Sequence, residues 1–289
     1  MTRPTADPIP EAHPRDAREV TFAFRAFGLN IGIELCDPVH PDDLAGSLPP
    51  GHEPVAAGQL DRTFRLRWLD AEASPALREG FHWFDEDEFR RFASTQEQAV
   101  EYAESVIEHY VAEFSPDFTF IHAGVVTWRG RAIVLPGTSR AGKSTLVRAL
   151  VNAGAAYFTD EYAVLDADGI VYPYLRHLSQ REGPFGPAGR VDLAAHAPSV
   201  EEARKGAPVA LIVLTRFEDG GAWQAERLGP GAAMMSISQH VIAIRRRPEA
   251  AFPVMRRIVE GAVVFEGIRG DATDAAAHIL AALDASDLA

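Results

Sequence analysis

The segment Gly137-Thr138-Ser139-Arg140-Ala141-Gly142-Lys143-Ser144 has the spacing G-x-x-x-x-G-K-[ST]. Each fixed position has a physical use. The glycines let the backbone turn so that successive N–H groups converge on phosphate oxygens. The loop then opens a helix, whose unpaired first-turn N–H groups and dipole favour an anion. Lys143 supplies a compact positive charge for the outer phosphates, and Ser144 a hydroxyl for a divalent cation such as Mg²⁺. Lys143 and Lys205 are the only lysines among 28 basic residues. A lysine kept against that bias points to a task that a guanidinium does not serve. Residues 137–145, Thr145 included, are therefore read as a site for ATP or a similar polyphosphate.

Triphosphate chemistry also needs carboxylates, one for the metal and often another for a proton. Asp160-Glu161 stands sixteen residues after Ser144, which leaves room for one helix and a return into a neighbouring strand. In ordinary P-loop NTPases the corresponding acid comes much later in the chain. Two acids directly after the loop helix imply a different architecture. His122, in Phe120-Ile121-His122-Ala123-Gly124, is a further candidate, although a lone histidine in an apolar strand is more often a core residue.

The elements that must position these residues follow from local pattern. Ala132-Ile133-Val134-Leu135 predicts a buried strand before the loop, and Ser144 to Ala153 a helix with Leu146 and Leu150 on one face, closed by Gly154. Phe118 to Trp128 and Arg131 to Leu135 read as a hairpin turning at Arg129-Gly130. The loop strand is then antiparallel to its predecessor, which predicts a mixed sheet. Short strands are expected at Tyr157-Phe158, Tyr162 to Leu165 and Ile170 to Tyr172, with Asp166 to Gly169 as a turn. Val209 to Phe217 and Trp223 to Leu228 read as a strand pair. Helices follow near 231–244, 248–260 and 272–284, with a strand at Val263 to Ile268. Upstream, Val20 to Glu34 reads as two strands, and Thr63 to Leu69 alternates as a strand does. Asp85 to Glu88 reads as the acidic first turn of a helix ending in Arg90-Arg91. Ser94-Thr95-Gln96-Glu97 fits a capping box before a helix with Val100, Ala103, Ile107, Val111 and Phe114 on its apolar stripe.

The expected organisation is a disordered lead-in over residues 1–18, a β-rich region with helices over 19–115, and a catalytic domain over 116–289. The fold class is α/β with a mixed, α+β-like sheet. A net charge of −13 disfavours nucleic acid and anionic membrane as partners. The single cysteine, Cys36, excludes an internal disulfide and a cysteine-rich zinc site. The ten histidines show no close spacing suited to zinc. The first residues lack a signal-peptide core and no apolar run reaches membrane-spanning length, so the expectation is a cytoplasmic protein.

Taken together, His122-Ala123, Leu135 to Thr145, Gly154 and Asp160-Glu161 resemble the catalytic domain of HPr kinase/phosphorylase and its serine-kinase relatives, which share a nucleotide-binding core with phosphoenolpyruvate carboxykinase. The resemblance covers residues 118–182 well, 205–285 in outline, and 1–115 not at all. It implies an ATP- and Mg²⁺-dependent kinase whose acceptor is a hydroxyl on a protein, peptide or small molecule. Lys143 and the loop amides would hold the β-phosphate, Ser144 and Glu161 would bind Mg²⁺, Asp160 would take the acceptor proton, and His122 would lie near the terminal phosphate. The two acids could exchange roles, with Asp160 on the metal. The resembling enzymes assemble as oligomers. Residues 19–115 are read, from their position alone, as a docking region for the acceptor. The family's second acid is usually Asp, and the motif that its bifunctional members carry after the acids is missing here. An Asp-Glu pair also suits an NTPase that hydrolyses ATP to drive a conformational step, and a nucleotide sensor without turnover is a third reading. In the segment 172–182, Arg176 and Arg181 are candidate phosphate contacts. Leu178-Ser179-Gln180 is a fragment of the ABC-ATPase signature without its glycines. Arg269-Gly270-Asp271 reads as a turn with Asp271 capping a helix, and Arg245-Arg246-Arg247 as the basic end of a helix.

Overall fold

The computed structural model describes residues 20–56, 58–70, 78–85, 88–138, 141–176, 178–181 and 188–285. The expected lead-in over 1–18 lies outside them. The chain divides into two compact units, Met1–Pro116 and Asp117–Ala289.

In the first unit, β1 (Val20–Ala26), β2 (Leu29–Leu35), β3 (Glu53–Pro54), β4 (Arg62–Leu69), β5 (Gly80–Asp85) and β6 (Glu88–Ala93) form one sheet in the order β3-β1-β2-β4-β5-β6. Only the β2–β4 pairing is parallel. Helix α1 (Gln96–Phe114) lies against the sheet. Its buried stripe of Ala103, Ile107 and Val111 follows the expected spacing, and its backbone accepts the Trp83 indole N–H at Ala99, 2.8 Å. The cap falls one residue later than the sequence suggested. Thr95 accepts from the Gln98 amide, and the Gln98 side chain reaches back to Ser94. The helix expected from Asp85 to Arg91 is not formed: β5 and β6 are paired antiparallel strands there. The acids and arginines interact across that hairpin, Arg90 Nη2 lying 2.7 Å from Asp85 Oδ2. Charge order along a segment cannot distinguish a helix from a hairpin that brings the same ends together.

In the second unit, β7 (Thr119–Trp128) and β8 (Arg131–Pro136) form the expected hairpin. Arg129 and Gly130 both have positive φ, 53° and 76°, as a tight hairpin turn requires. Helix α2 (Lys143–Asn152) follows, then β9 (Ala156–Thr159), β10 (Tyr162–Leu165), β11 (Ile170–Tyr172), a small pair β12 (Leu178–Arg181) and β13 (Ala188–Val191), and α3 (Val200–Lys205). The chain continues with β14 (Ala207–Phe217), β15 (Gln224–Arg227), α4 (Pro230–Ser238), α5 (Pro248–Gly261), β16 (Val263–Arg269) and α6 (Ala272–Ala285). The main sheet runs β11-β10-β7-β8-β14-β16-β15, with β9 also on β7. It is mixed: β8, β14 and β16 are parallel and the β7–β8 and β15–β16 pairings antiparallel. The expected direct pairing of β14 with β15 is therefore corrected, because β16 lies between them. The arginine triplet is also corrected. Helix α4 ends at Ser238, Arg245 closes a short 3₁₀ turn, and Arg247 precedes α5.

Alternation along the strands sends apolar side chains to both faces. Ile121, Ala123, Val125 and Val134 pack with Ile237, Val254, Met255 and Ile258 of α4 and α5. Val126, Ile133 and Leu135 pack with Leu146, Val147 and Leu150 of α2 and Ile279 and Leu283 of α6. Each of the buried Val, Leu, Ile and Met side chains contributes about 2 kcal/mol. That burial, not helix propensity, holds α2 and its first residues against the sheet. Gly124 is required by the contact: a Cβ there would come within 2.5 Å of Val147 Cγ2. No helix among the described residues is long and apolar enough to cross a membrane.

Candidate functional site

Strands β8, β14 and β16 are parallel, so their carboxyl ends, Pro136, Phe217 and Arg269, gather at one edge of the sheet. That is the edge at which ligands bind in open α/β sheets. The loop between β8 and α2 leaves from it. Gly142 caps α2 with φ 82° and no capping side chain. The amides of Lys143, Ser144 and Thr145 open the helix and have no acceptor within it. Gly137 is tied to the sheet through its amide on His122 O, 3.3 Å, and Ala141 N–H turns back to Thr138 O, 3.2 Å. Ser139 and Arg140 lie outside the described residues. Thr145 is exposed on α2.

Lys143 folds back over this loop. Its Nζ donates to Gly137 O at 2.9 Å and Thr138 O at 3.2 Å, and lies 3.2 Å from His122 Nε2. Burial lowers the lysine pKa, while Glu161 and Asp160 oppose that shift. His122 is held down more strongly, to about 4, first by burial, then by the Lys143 charge and by His240. The imidazole is thus neutral near neutral pH and accepts from Lys143 through Nε2. Its 3.5 Å approach to Glu161 Oε1 then brings two acceptors near each other and is not an ion pair.

The two acids occupy a break in a strand. Thr159 stands opposite Val125 and Tyr162 opposite His122, so β9 and β10 keep a common register on β7, and Asp160-Glu161 bridge them. The expectation of a strand's end is met in part: the acids end one short strand and begin another. The register also shifts between Val125 and Val126, where Tyr157 faces Val126 and Thr159 faces Val125, leaving Phe158 as an extra residue. Such a bulge re-aims side chains. It brings Tyr157 and Asp160, three residues apart, onto the face that carries α2.

Asp160 is 4% exposed and receives two hydroxyls. Ser144 Oγ donates to Oδ2 at 2.9 Å and Tyr157 OH to Oδ1 at 3.1 Å. Tyr157 OH also lies 3.0 Å from Arg176 O, so its one proton serves two acceptors. Burial, with the Asp160 charge, raises the Tyr157 pKa and keeps the phenol a donor. The Glu161 side chain is 47% exposed, its amide bound to Thr159 Oγ1 and its carbonyl to Ala123 N–H.

The structure therefore brings His122, Lys143, Ser144, Asp160 and Glu161 together around the loop. Arg176 is joined to this group by its backbone, with its guanidinium 5.9 Å from the Tyr174 ring. Arg181 belongs to β12, and its side chain is outside the described set. Three neighbours were not expected: Tyr157, whose position depends on the bulge; His240, whose carbonyl accepts His122 N–H at 2.8 Å; and Arg269, whose Nη2 donates to Gly142 O at 2.9 Å. Asp271 caps α6 as expected, accepting from Thr273 N and Asp274 N.

Among the described residues, no group of three or more His, Cys, Asp or Glu forms a metal-binding cluster. Mg²⁺ does not need one, since it is commonly held by one or two carboxylates with phosphates and water. The hard oxygens of Ser144, Asp160 and Glu161 fit that use.

No protein-family model matches the chain. No curated protein matches it. Among solved structures it is similar to the Hpr(Ser) kinase/phosphatase from Coxiella burnetii, with 13% identity over 56% of this chain and 97% of that one and a TM-score of 0.28. A superposition this loose carries neither fold nor activity across.

Proposed function

We propose that this chain binds ATP or a similar nucleoside triphosphate through residues 137–145 and transfers its terminal phosphoryl group to a hydroxyl of a protein, peptide or small molecule. The observation that carries this reading is the convergence on one uncapped helix N-terminus of a lysine, a hydroxyl hydrogen-bonded to a buried carboxylate, and a second, accessible carboxylate. Phosphoryl transfer asks the protein mainly for positioning and charge neutralisation. Lys143 and the first-turn amides of α2 neutralise the phosphates. Ser144 gives its proton to Asp160 and so keeps its lone pairs for a cation. Bound Mg²⁺ supplies further neutralisation of the phosphate charge.

The geometry favours exchanging the roles first expected of the acids. Both Asp160 oxygens are engaged by hydroxyl donors, which suits a carboxylate that holds Ser144 and a cation in place. Glu161 is accessible and beside His122, which suits the base. The acceptor oxygen forms its bond to the γ-phosphorus as the bond to the bridging oxygen breaks, the nucleoside diphosphate leaves with that electron pair, and Glu161 takes the acceptor's proton. The same accessibility of Glu161 to water favours ATP hydrolysis as the second reading.

Glu161→Gln separates base from scaffold. Turnover of ATP should fall by about two to four orders of magnitude, while ATP affinity, measured by titration calorimetry, stays within threefold. Full turnover in Glu161→Gln would return the base role to Asp160. Steady ATP loss by the wild-type chain without any acceptor would favour the hydrolase.

A further inference from the structure

Arg269 ends β16 with its side chain almost wholly enclosed, 2% exposed. Its Nη1 donates to Gly270 O at 3.0 Å and its Nη2 to Gly142 O at 2.9 Å. Nε has no partner among the described residues, and no carboxylate there lies within ion-pair distance of the guanidinium. Asp271 acts on it electrostatically, but that acid is exposed and its Oδ1 is occupied by the amides of Thr273 and Asp274. Phe217 offers its ring at 5.5 Å. A buried cation whose partners among the described residues are two carbonyls, a ring and one exposed, already engaged carboxylate is costly. Such departures from local consistency are expected at functional sites.

Its location identifies what would compensate it. Arg269 shares a small cavity under the opening of α2 with Gly142, Lys143 and Thr215, walled on its other side by the apolar Leu135, Leu146 and Val213. Gly142 is shaped for the contact: a Cβ there would come within 2.4 Å of Arg269 Nη2, and φ is +82°. The loop's second glycine thus admits a guanidinium as well as an anion.

We propose that Arg269 is a built-in countercharge for the polyphosphate, a positioning residue that fixes the Gly142 carbonyl at the helix opening and whose charge is balanced only when a phosphate chain occupies the loop. The inference rests on the nucleotide reading and assigns it a residue 127 positions from Gly142 in the chain. It predicts that stability and affinity respond in opposite directions. A plain structural pin would lose both together.

The test compares the wild-type chain with Arg269→Gln and Arg269→Lys, using thermal unfolding without nucleotide and titration with Mg²⁺-ATP and with pyrophosphate. The expected result is that Arg269→Gln melts at or above the wild-type midpoint yet binds both probes at least tenfold more weakly. Arg269→Lys, which keeps the charge, should recover part of that affinity. An Arg269→Gln chain that melts lower without nucleotide, or that binds both probes as wild type does, overturns the proposal, and so does an Arg269→Lys chain no tighter than Arg269→Gln. If the wild-type chain binds neither probe, the nucleotide reading fails, and the midpoint of Arg269→Gln alone decides whether the buried charge stabilises the empty fold.

Discussion

The two units treat buried charge in opposite ways. In the first, charges are answered by charges. Asp85, with its side chain 8% exposed, lies between Arg62 Nε at 3.1 Å and Arg90 Nη2 at 2.7 Å. Glu34 Oε2 similarly accepts from Arg65 Nε at 2.9 Å and Arg67 Nη2 at 2.8 Å. In these clusters every guanidinium has a carboxylate partner. In the second unit the cations at the loop, Lys143 and Arg269, face carbonyls, a neutral imidazole and an aromatic ring. Local ion pairing can make a scaffold, whereas at the loop the acids act on the two cations without a direct ion pair. On the proposed reading, the difference separates a region built to be stable from one built to be filled.

The contrast can be broken most directly at Lys143. Lys143→Ala should weaken ATP binding about a thousandfold, or ~4 kcal/mol, with little loss of stability, as read by calorimetry and thermal melting. Binding within threefold of wild type would mean that the loop is not the site. Asp85→Asn should do the reverse. It removes the carboxylate shared by Arg62 and Arg90, of which Arg90 keeps Glu88 at 3.1 Å, costing about 3 kcal/mol of folding stability in a urea titration, with ATP affinity unchanged. A smaller effect sharpens the comparison through pH. His122 is neutral in the folded chain down to about 4, whereas in the unfolded chain it takes a proton near 6.5. Below 6.5 the unfolded state therefore binds more protons, and stability falls with acidification. The loss assigned to His122 between pH 6.5 and 4.5 is ~2 kcal/mol, and the difference in pH dependence between wild type and His122→Gln should display it.

What could be read from the sequence was local. The loop, its helix, the Arg129-Gly130 hairpin and the Asp271 cap are each specified by residues within a few positions of one another. So is the apolar stripe of α1. The failures arose where partners are distant or where one extra residue changes a face. Nothing in Val209 to Leu228 says that Val263 to Arg269 inserts between its two strands. Period-two alternation places Tyr157 and Asp160 on opposite faces, and only the bulge at Phe158 unites them. Arg269 is separated from Gly142 by 127 residues, and the tripeptide it begins looks like a surface turn. The residue types needed for triphosphate chemistry were visible from their spacing, whereas the residues that hold them in place were visible only in the sheet.

The shared register of β9 and β10 on β7 has a consequence for how this protein can change. Thr159 and Tyr162 are both anchored, so the two acids between them sit in a gap of fixed length. Substitutions there alter chemistry one group at a time. Adding or removing a single amino acid would slide one anchor past its partner, or force another bulge, and turn the carboxylates away from α2. This stretch can therefore vary in composition far more freely than in length.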